Sequence, residues 1–147
     1  MKFAAGAILA VITIALTACD GGWTDSQYGI EGVATSDGTM VYFKREVRGA
    51  NYDALWISTN PDPCRPADDS TDYVFRELGP LVVYYRAGAG VVETYLTSSL
   101  DPPKTKPKVR VIHHVLDPLA FKELERTHKS RGLTKIEVPL QRKIHCR

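Results

Sequence analysis

The sequence predicts an α+β domain: mostly antiparallel β-sheet, with one helix in the C-terminal region. Two observations carry that prediction. From Tyr28 onward, short runs rich in Val, Ile, Tyr and Thr are broken by Gly, Asn, Asp and Pro, which is the pattern of strands and turns. Only the segment after Val115 carries the punctuation of a helix. Hydrophobic content of 44% and charged content of 24% are ordinary for a globular chain.

The first nineteen residues stand apart. Lys2 is the only charge before Asp20, and the sixteen residues from Phe3 to Ala18 are apolar or small. That run is shorter than the ~20 residues needed to span a hydrocarbon core, so it reads as a secretory signal and not a spanning helix. It ends in Leu16-Thr17-Ala18-Cys19. This resembles the lipobox of bacterial lipoproteins, in which a leucine stands three places before an obligatory cysteine. The resemblance covers the targeting segment alone. It implies cleavage between Ala18 and Cys19, diacylation of the Cys19 thiol (the palmitate-type anchor of such proteins) and lasting attachment to a cell-envelope membrane. Several acyl chains suffice for that, because each buried CH₂ contributes ~0.8 kcal/mol. Asp20 resembles the signal that retains lipoproteins in the inner membrane, with the outer membrane as the alternative destination. The predicted organisation is therefore a signal peptide over 1–18, a lipidated Cys19 with a short tether to residue 27, and one periplasmic domain over 28–147. Asp20 to Gln27 reach only about 15 Å as a coil, which keeps the domain near the bilayer; Trp23 either rests in the interface or packs on the domain.

With Cys19 assigned to lipid, Cys64 and Cys146 remain. An even pair in an oxidising compartment predicts a single disulfide, and the long loop it closes is worth about 4 kcal/mol in the chain-entropy account.

The strands follow in order. Tyr28–Ala34 ends at the turn Ser36-Asp37-Gly38; Thr39–Val47 sets Val41, Phe43 and Val47 on one face; Gly49 and Asn51 lead into Tyr52–Ser58. Residues Thr59 to Thr71, with three prolines around Cys64, form a loop that the disulfide pins. Leu81–Arg86 and Val91–Thr97 make a hairpin about Ala87-Gly88-Ala89-Gly90. Asp101–Pro107 is an extended linker, because proline cannot donate to a ladder. Lys108–Val115 places Val109, Val111, His113 and Val115 on one side. The helix opens with Asp117 as N-cap and Pro118 in its first turn, and stops at Gly132. Ala120, Phe121 and Leu124 form its buried stripe, and Glu125 and Lys129 pair at i,i+4. The last run alternates Ile136, Val138, Leu140, Ile144 and Cys146 on the core side, interrupted by Pro139.

Charge is uneven along the chain. Asp20 to Pro103 holds 6 basic and 13 acidic residues, while Lys104 to Arg147 holds 12 basic and 4 acidic. One account is that the two segments interdigitate in a sheet and neutralise each other. The other is a basic face toward anionic lipid, with Lys104, Lys106, Lys108, Arg110, Lys135 and Lys143 as its candidate contacts. Nucleic acid is excluded as a partner outside the cytoplasm.

No catalytic constellation is expected. Gly-x-Ser-x-Gly and His-Glu-x-x-His are absent, and neighbouring His113 and His114 face opposite sides of a strand. Glu125 to His128 fits a di-metal Glu-x-x-His, but that site needs ligands from several helices. Asp68, Asp69 and Asp72 lack the calcium-loop spacing. The expected function is a lipid-anchored, non-catalytic binding module at the membrane surface, without cofactor or metal, whose partner is an envelope protein or peptidoglycan. An immunity or inhibitor lipoprotein acting on a toxin, lytic enzyme or phage is the alternative. An envelope-glycan enzyme using His128, His145 or Asp68 and Asp69 is a third reading.

Overall fold

The computed structural model describes residues 26–76 and 82–146. Ala18, Cys19, Asp20, Trp23 and Leu81 lie outside the described residues. Among those described, nine strands and one helix occur: β1 (Ser26–Ala34), β2 (Met40–Arg48), β3 (Tyr52–Ser58), β4 (Tyr73–Phe75), β5 (Val82–Gly88), β6 (Val91–Leu96), β7 (Leu100–Asp101), β8 (Arg110–Val115), α1 (Pro118–Thr127) and β9 (Thr134–Glu137).

They form two sheets. Strands β1-β2-β3-β4-β7 make an antiparallel sheet, and β8-β6-β5-β9 make a second, in which only β6 and β8 run parallel. The mostly antiparallel α+β class with one late helix and one disulfide is thus the observed one. Alternation along the strands decides what lies between the sheets. Val41, Phe43, Leu55 and Ile57 from the first meet Val83, Val92, Leu96 and Ile136 from the second in one core. The opposite side chains of β5 and β6, Tyr84 and Tyr95, pack with Leu124 and Phe121 of α1, which forms a third layer. β8 and β9 run in the same direction at opposite edges of their sheet, so α1 is a crossover above β6 and β5.

The helix begins as its sequence requires. Asp117 accepts a 2.8 Å bond from the Ala120 amide, and Pro118 sits in the first turn, where a missing N–H costs nothing. Gly132, at φ +67°, turns the chain into β9. Lys129 falls beyond the helix, and the helical ion pair is Arg126 with Glu123, not Lys129 with Glu125.

Other boundaries moved. β1 starts at Ser26, two residues early, because Ser26 and Gln27 pair with Arg48 and Val47; the segment between Cys19 and the domain shortens accordingly. The β5–β6 turn tightens to Ala89-Gly90, with Gly90 at φ +62°. Val115 does not join the core; it ends an edge strand and is 60% exposed.

The largest correction concerns the final strand, which stops at Glu137. Pro139 cannot extend the ladder, and the chain crosses to the first sheet instead. There the Gln141 amide donates 2.7 Å to the Tyr28 carbonyl, and Gln141 Nε2 donates to the Ile30 carbonyl. Cys146 then joins Cys64, 82 residues away, with a Cα–Cα separation of 5.2 Å. Cys146 therefore lies at the edge of the first sheet and not on the core side.

The tail passes so close to β1 that only glycine fits at position 29: a Cβ there would lie 2.5 Å from the Pro139 carbonyl oxygen. Gly29→Ala is expected to destabilise the domain by about 1–3 kcal/mol, as overpacking does. Gly32→Ala, whose Cβ would press closely only on the terminal methyl of the flexible Met40 side chain and otherwise make ordinary contact with the Tyr42 ring, should cost much less. Urea midpoints of the two variants measured side by side check this.

Candidate functional site

Register and turn contacts give the sandwich two ends. Ser26, Arg48 and Tyr52 are aligned at the end where the chain enters β1. The other end holds the β1–β2 turn, tied to the β5–β6 turn by the Ser36 amide to the Gly88 carbonyl, and the start of β8, tied by the Arg110 amide to the Gly90 carbonyl. Nine residues of β1 separate the two, roughly 26 Å at 3.3 Å per residue.

The run Lys104 to Arg110 sits at the far end. Its backbone is fastened by the Lys104 amide to the Asp69 carbonyl and by the Thr105 amide to the Ser70 carbonyl. The Tyr73 hydroxyl bridges the Val109 carbonyl and the Val111 amide. Pro103 and Pro107 are half-buried and Val109 is buried, which turns Lys104, Lys106, Lys108 and Arg110 outward. The segment predicted as an extended linker therefore presents a set of outward cations, on a backbone that bends at Lys104–Thr105 and at Lys108–Val109 before β8 begins. Lys104 reaches Asp69 at 3.9 Å; among the described residues Lys106, Lys108 and Arg110 make no ion pair.

At the near end the tail and β1 enclose an open cleft of about 680 Å³, lined by Ser26, Gln27, Tyr28, Gln141, Arg142, Ile144, His145 and Cys146. None of these is acidic. Lys143 is exposed beside it. Lys135 belongs to neither end, for it projects from β9 and bonds to Glu137 at 2.5 Å. The six candidate cations are thus divided: four form the far row, one flanks the near cleft, and one is neutralised on a strand. Arg142 was not singled out by sequence, because reading the tail as a core strand hid it; Pro139 was the available signal.

Segments of opposite charge do share the second sheet, since β8 and β9 flank β5 and β6. Yet of nine ion pairs among the described residues, only Lys104–Asp69 joins the two segments. Several of the described acids are used locally. Arg65 pairs with Asp68 and Asp72, and Asp68 accepts from the Ser70 amide, so these carboxylates shape their own loop. The basic segment keeps most of its charge.

The chain's histidines are dispersed. His113 faces inward; its Nε2 donates 2.6 Å to the Ser98 carbonyl, and its Nδ1 accepts from the buried Thr94 hydroxyl. Phe75 stands edge-on to it at 5.5 Å. His114 faces the other way, stacked on Tyr95 at 4.5 Å. His128 caps α1 and His145 lines the near cleft, so these two residues of the glycan-enzyme reading sit on separate elements, while Asp68 is engaged by Arg65 within its own loop. Among the described residues no group of three or more His, Cys, Asp or Glu is placed to hold a metal ion, and no helix is long and apolar enough to cross a membrane. No protein-family model, curated protein or solved structure matches the chain.

Burial holds the His113 imidazole below its ordinary pKa, outweighing the bond to Ser98, which acts the other way. Below the unfolded value, near 6.5, the unfolded chain takes a proton that the folded one refuses, so stability falls with pH through that window. The thermal midpoint is expected to drop between pH 7 and pH 5. His113→Gln, compared with wild type by calorimetry over that range, should show a shallower drop.

Proposed function

We propose that this chain is a bacterial lipoprotein whose domain is a non-catalytic binding module, held at an envelope membrane through Cys19 and facing the periplasm. The observation that carries the reading is the separation of the two ends. The chain runs toward Cys19 from Ser26, and the row Lys104 to Arg110 lies about 26 Å away at the opposite end. An anchor at one end leaves the other free for a partner. A fixed row of exposed cations suits an acidic surface on another envelope protein, because such complementarity steers encounter and sets register. The Cys64–Cys146 disulfide supports an oxidising compartment.

Two measurements test this. Intact mass of the envelope-extracted protein is expected to show a chain beginning at Cys19 and carrying acyl groups, with membrane attachment lost in Cys19→Ser. A soluble, unacylated product would overturn the anchor. Crosslinking in whole cells should then give one salt-sensitive adduct with a neighbouring envelope protein. That adduct should disappear in Lys106→Ala/Lys108→Ala/Arg110→Ala, and its persistence would overturn the role given to this row.

A further inference from the structure

We propose that the near-end cleft is a seat for the phosphate-bearing headgroups of an anionic bilayer, so that the domain grips the membrane it is anchored to. This rests on the lipid-anchored reading and assigns a second membrane contact to residues that the reading does not use.

Position comes first. Six residues separate Cys19 from Ser26, so the span is at most about 25 Å when fully stretched. As a coil it averages nearer 15 Å. Ser26 itself lines the cleft. A tether this short holds the cleft at an effective concentration in the millimolar range at the bilayer, where individually weak contacts count.

Chemistry comes second. Arg142 and His145 bring cationic or hydrogen-bonding groups into the cleft, Ser26, Gln27, Tyr28 and Gln141 bring neutral donors, and among the described residues no carboxylate lines it. Lys143 adds charge at the rim. Arg48, aligned with Ser26, contributes less charge because Glu46 accepts from it at 2.7 Å. The floor is rigid, since the tail is bonded to Tyr28 and Ile30 and closed by the disulfide.

A third observation is independent of the cleft. Among the described residues, the large apolar side chains that stand exposed are Met40, Tyr52, Val115 and Leu119. All but Met40 lie at the near end: Tyr52 is aligned with Arg48, Val115 closes β8 opposite Leu96, and Leu119 is in the helical turn that follows. Tyr52 also carries the Arg48 guanidinium over its ring at 5.0 Å. Tyr52 under Arg48 is the pairing of aromatic ring and cation that an interfacial surface presents to headgroups, while Val115 and Leu119 extend the apolar part of this end along the opposite edge of the second sheet from the cleft. The far row cannot make this contact while the near end does, because it points the opposite way.

The test uses the envelope-extracted chain in nanodiscs of phosphatidylcholine alone or with one-third phosphatidylglycerol, read by amide hydrogen exchange. Exchange over residues 141–146 and 48–52 is expected to slow severalfold in the anionic discs and to return to the neutral-disc rate in 0.5 M salt. Arg142→Ala/Lys143→Ala should abolish the difference at an unchanged thermal midpoint, each lost cation weakening the contact about fivefold. Identical exchange in both discs would overturn the proposal, and so would equal slowing by inorganic phosphate in neutral discs, which would make the cleft a free-phosphate site. If mass shows no acyl groups, the anchor fails separately. The chain is then sedimented with vesicles of the same two compositions. Binding to the anionic vesicles that the double variant loses keeps the headgroup cleft, and absence of binding removes it.

Discussion

The Cys64–Cys146 bond is the constraint on which the two distinctive surfaces of this domain depend. It joins the proline-rich loop after β3 to the last turn of the chain, across a separation of 82 residues. Val138 is seated in the core, but beyond it residues 139–146 would be held to β1 chiefly by the Gln141 bonds, and an irregular tail with so few partners would fray without the disulfide. With it, the tail is a fixed wall of the near-end cleft and cover for the open edge of β1, which would otherwise offer unpaired backbone to another chain.

The same bond steadies a polar layer on the outer face of the first sheet. Lys44, Glu46 and Trp56 point away from the apolar core, yet each is buried. Lys44 donates 2.5 Å to the Asp62 carbonyl in the loop that carries Cys64. Burial lowers the Lys44 pKa, against the attraction of Asp72 and Asp62. The Trp56 indole N–H has no partner among the described residues. An isolated buried ammonium and an unpaired N–H are both costly, so this face tolerates no loosening of the loop above it. The loop in turn is knit by Arg65 with Asp68 and Asp72. Acids that a linear reading could take for a cation site are instead struts for the cover.

Charge is distributed by the same logic. Acidic residues of the N-terminal segment are consumed in local pairs such as Arg45–Asp53, Arg76–Asp101 and Arg86–Glu93. The basic segment, folded across both ends of the sandwich, has few carboxylates within reach. A chain of formal net charge +2 thereby presents cations at its two poles. At the far pole they lie on a segment punctuated by prolines, and at the near pole they border a cleft at the end of the sandwich that also exposes Tyr52.

The sequence by itself determined the local elements and the pairing of the cysteines. Period-two alternation located β2, β3, the β5–β6 hairpin and β8 to within a residue or two, because which face of a strand is apolar is a local property. Asp117, Pro118 and Gly132 set the helix for the same reason, since caps act through adjacent backbone groups. The misplacements have one cause. Val138 reaches the core as its alternation predicts, but the continuation through Leu140, Ile144 and Cys146 only mimics a strand, because whether such a run pairs depends on a partner edge, and that is a tertiary fact. Burial of Lys44 and Glu46, exposure of Val115, and the division of the basic residues between two poles were likewise decided only when distant segments met. Charge and polarity along a chain state what each residue prefers. Which preferences are satisfied depends on what the fold places within a few ångströms, and no linear pattern carries that information.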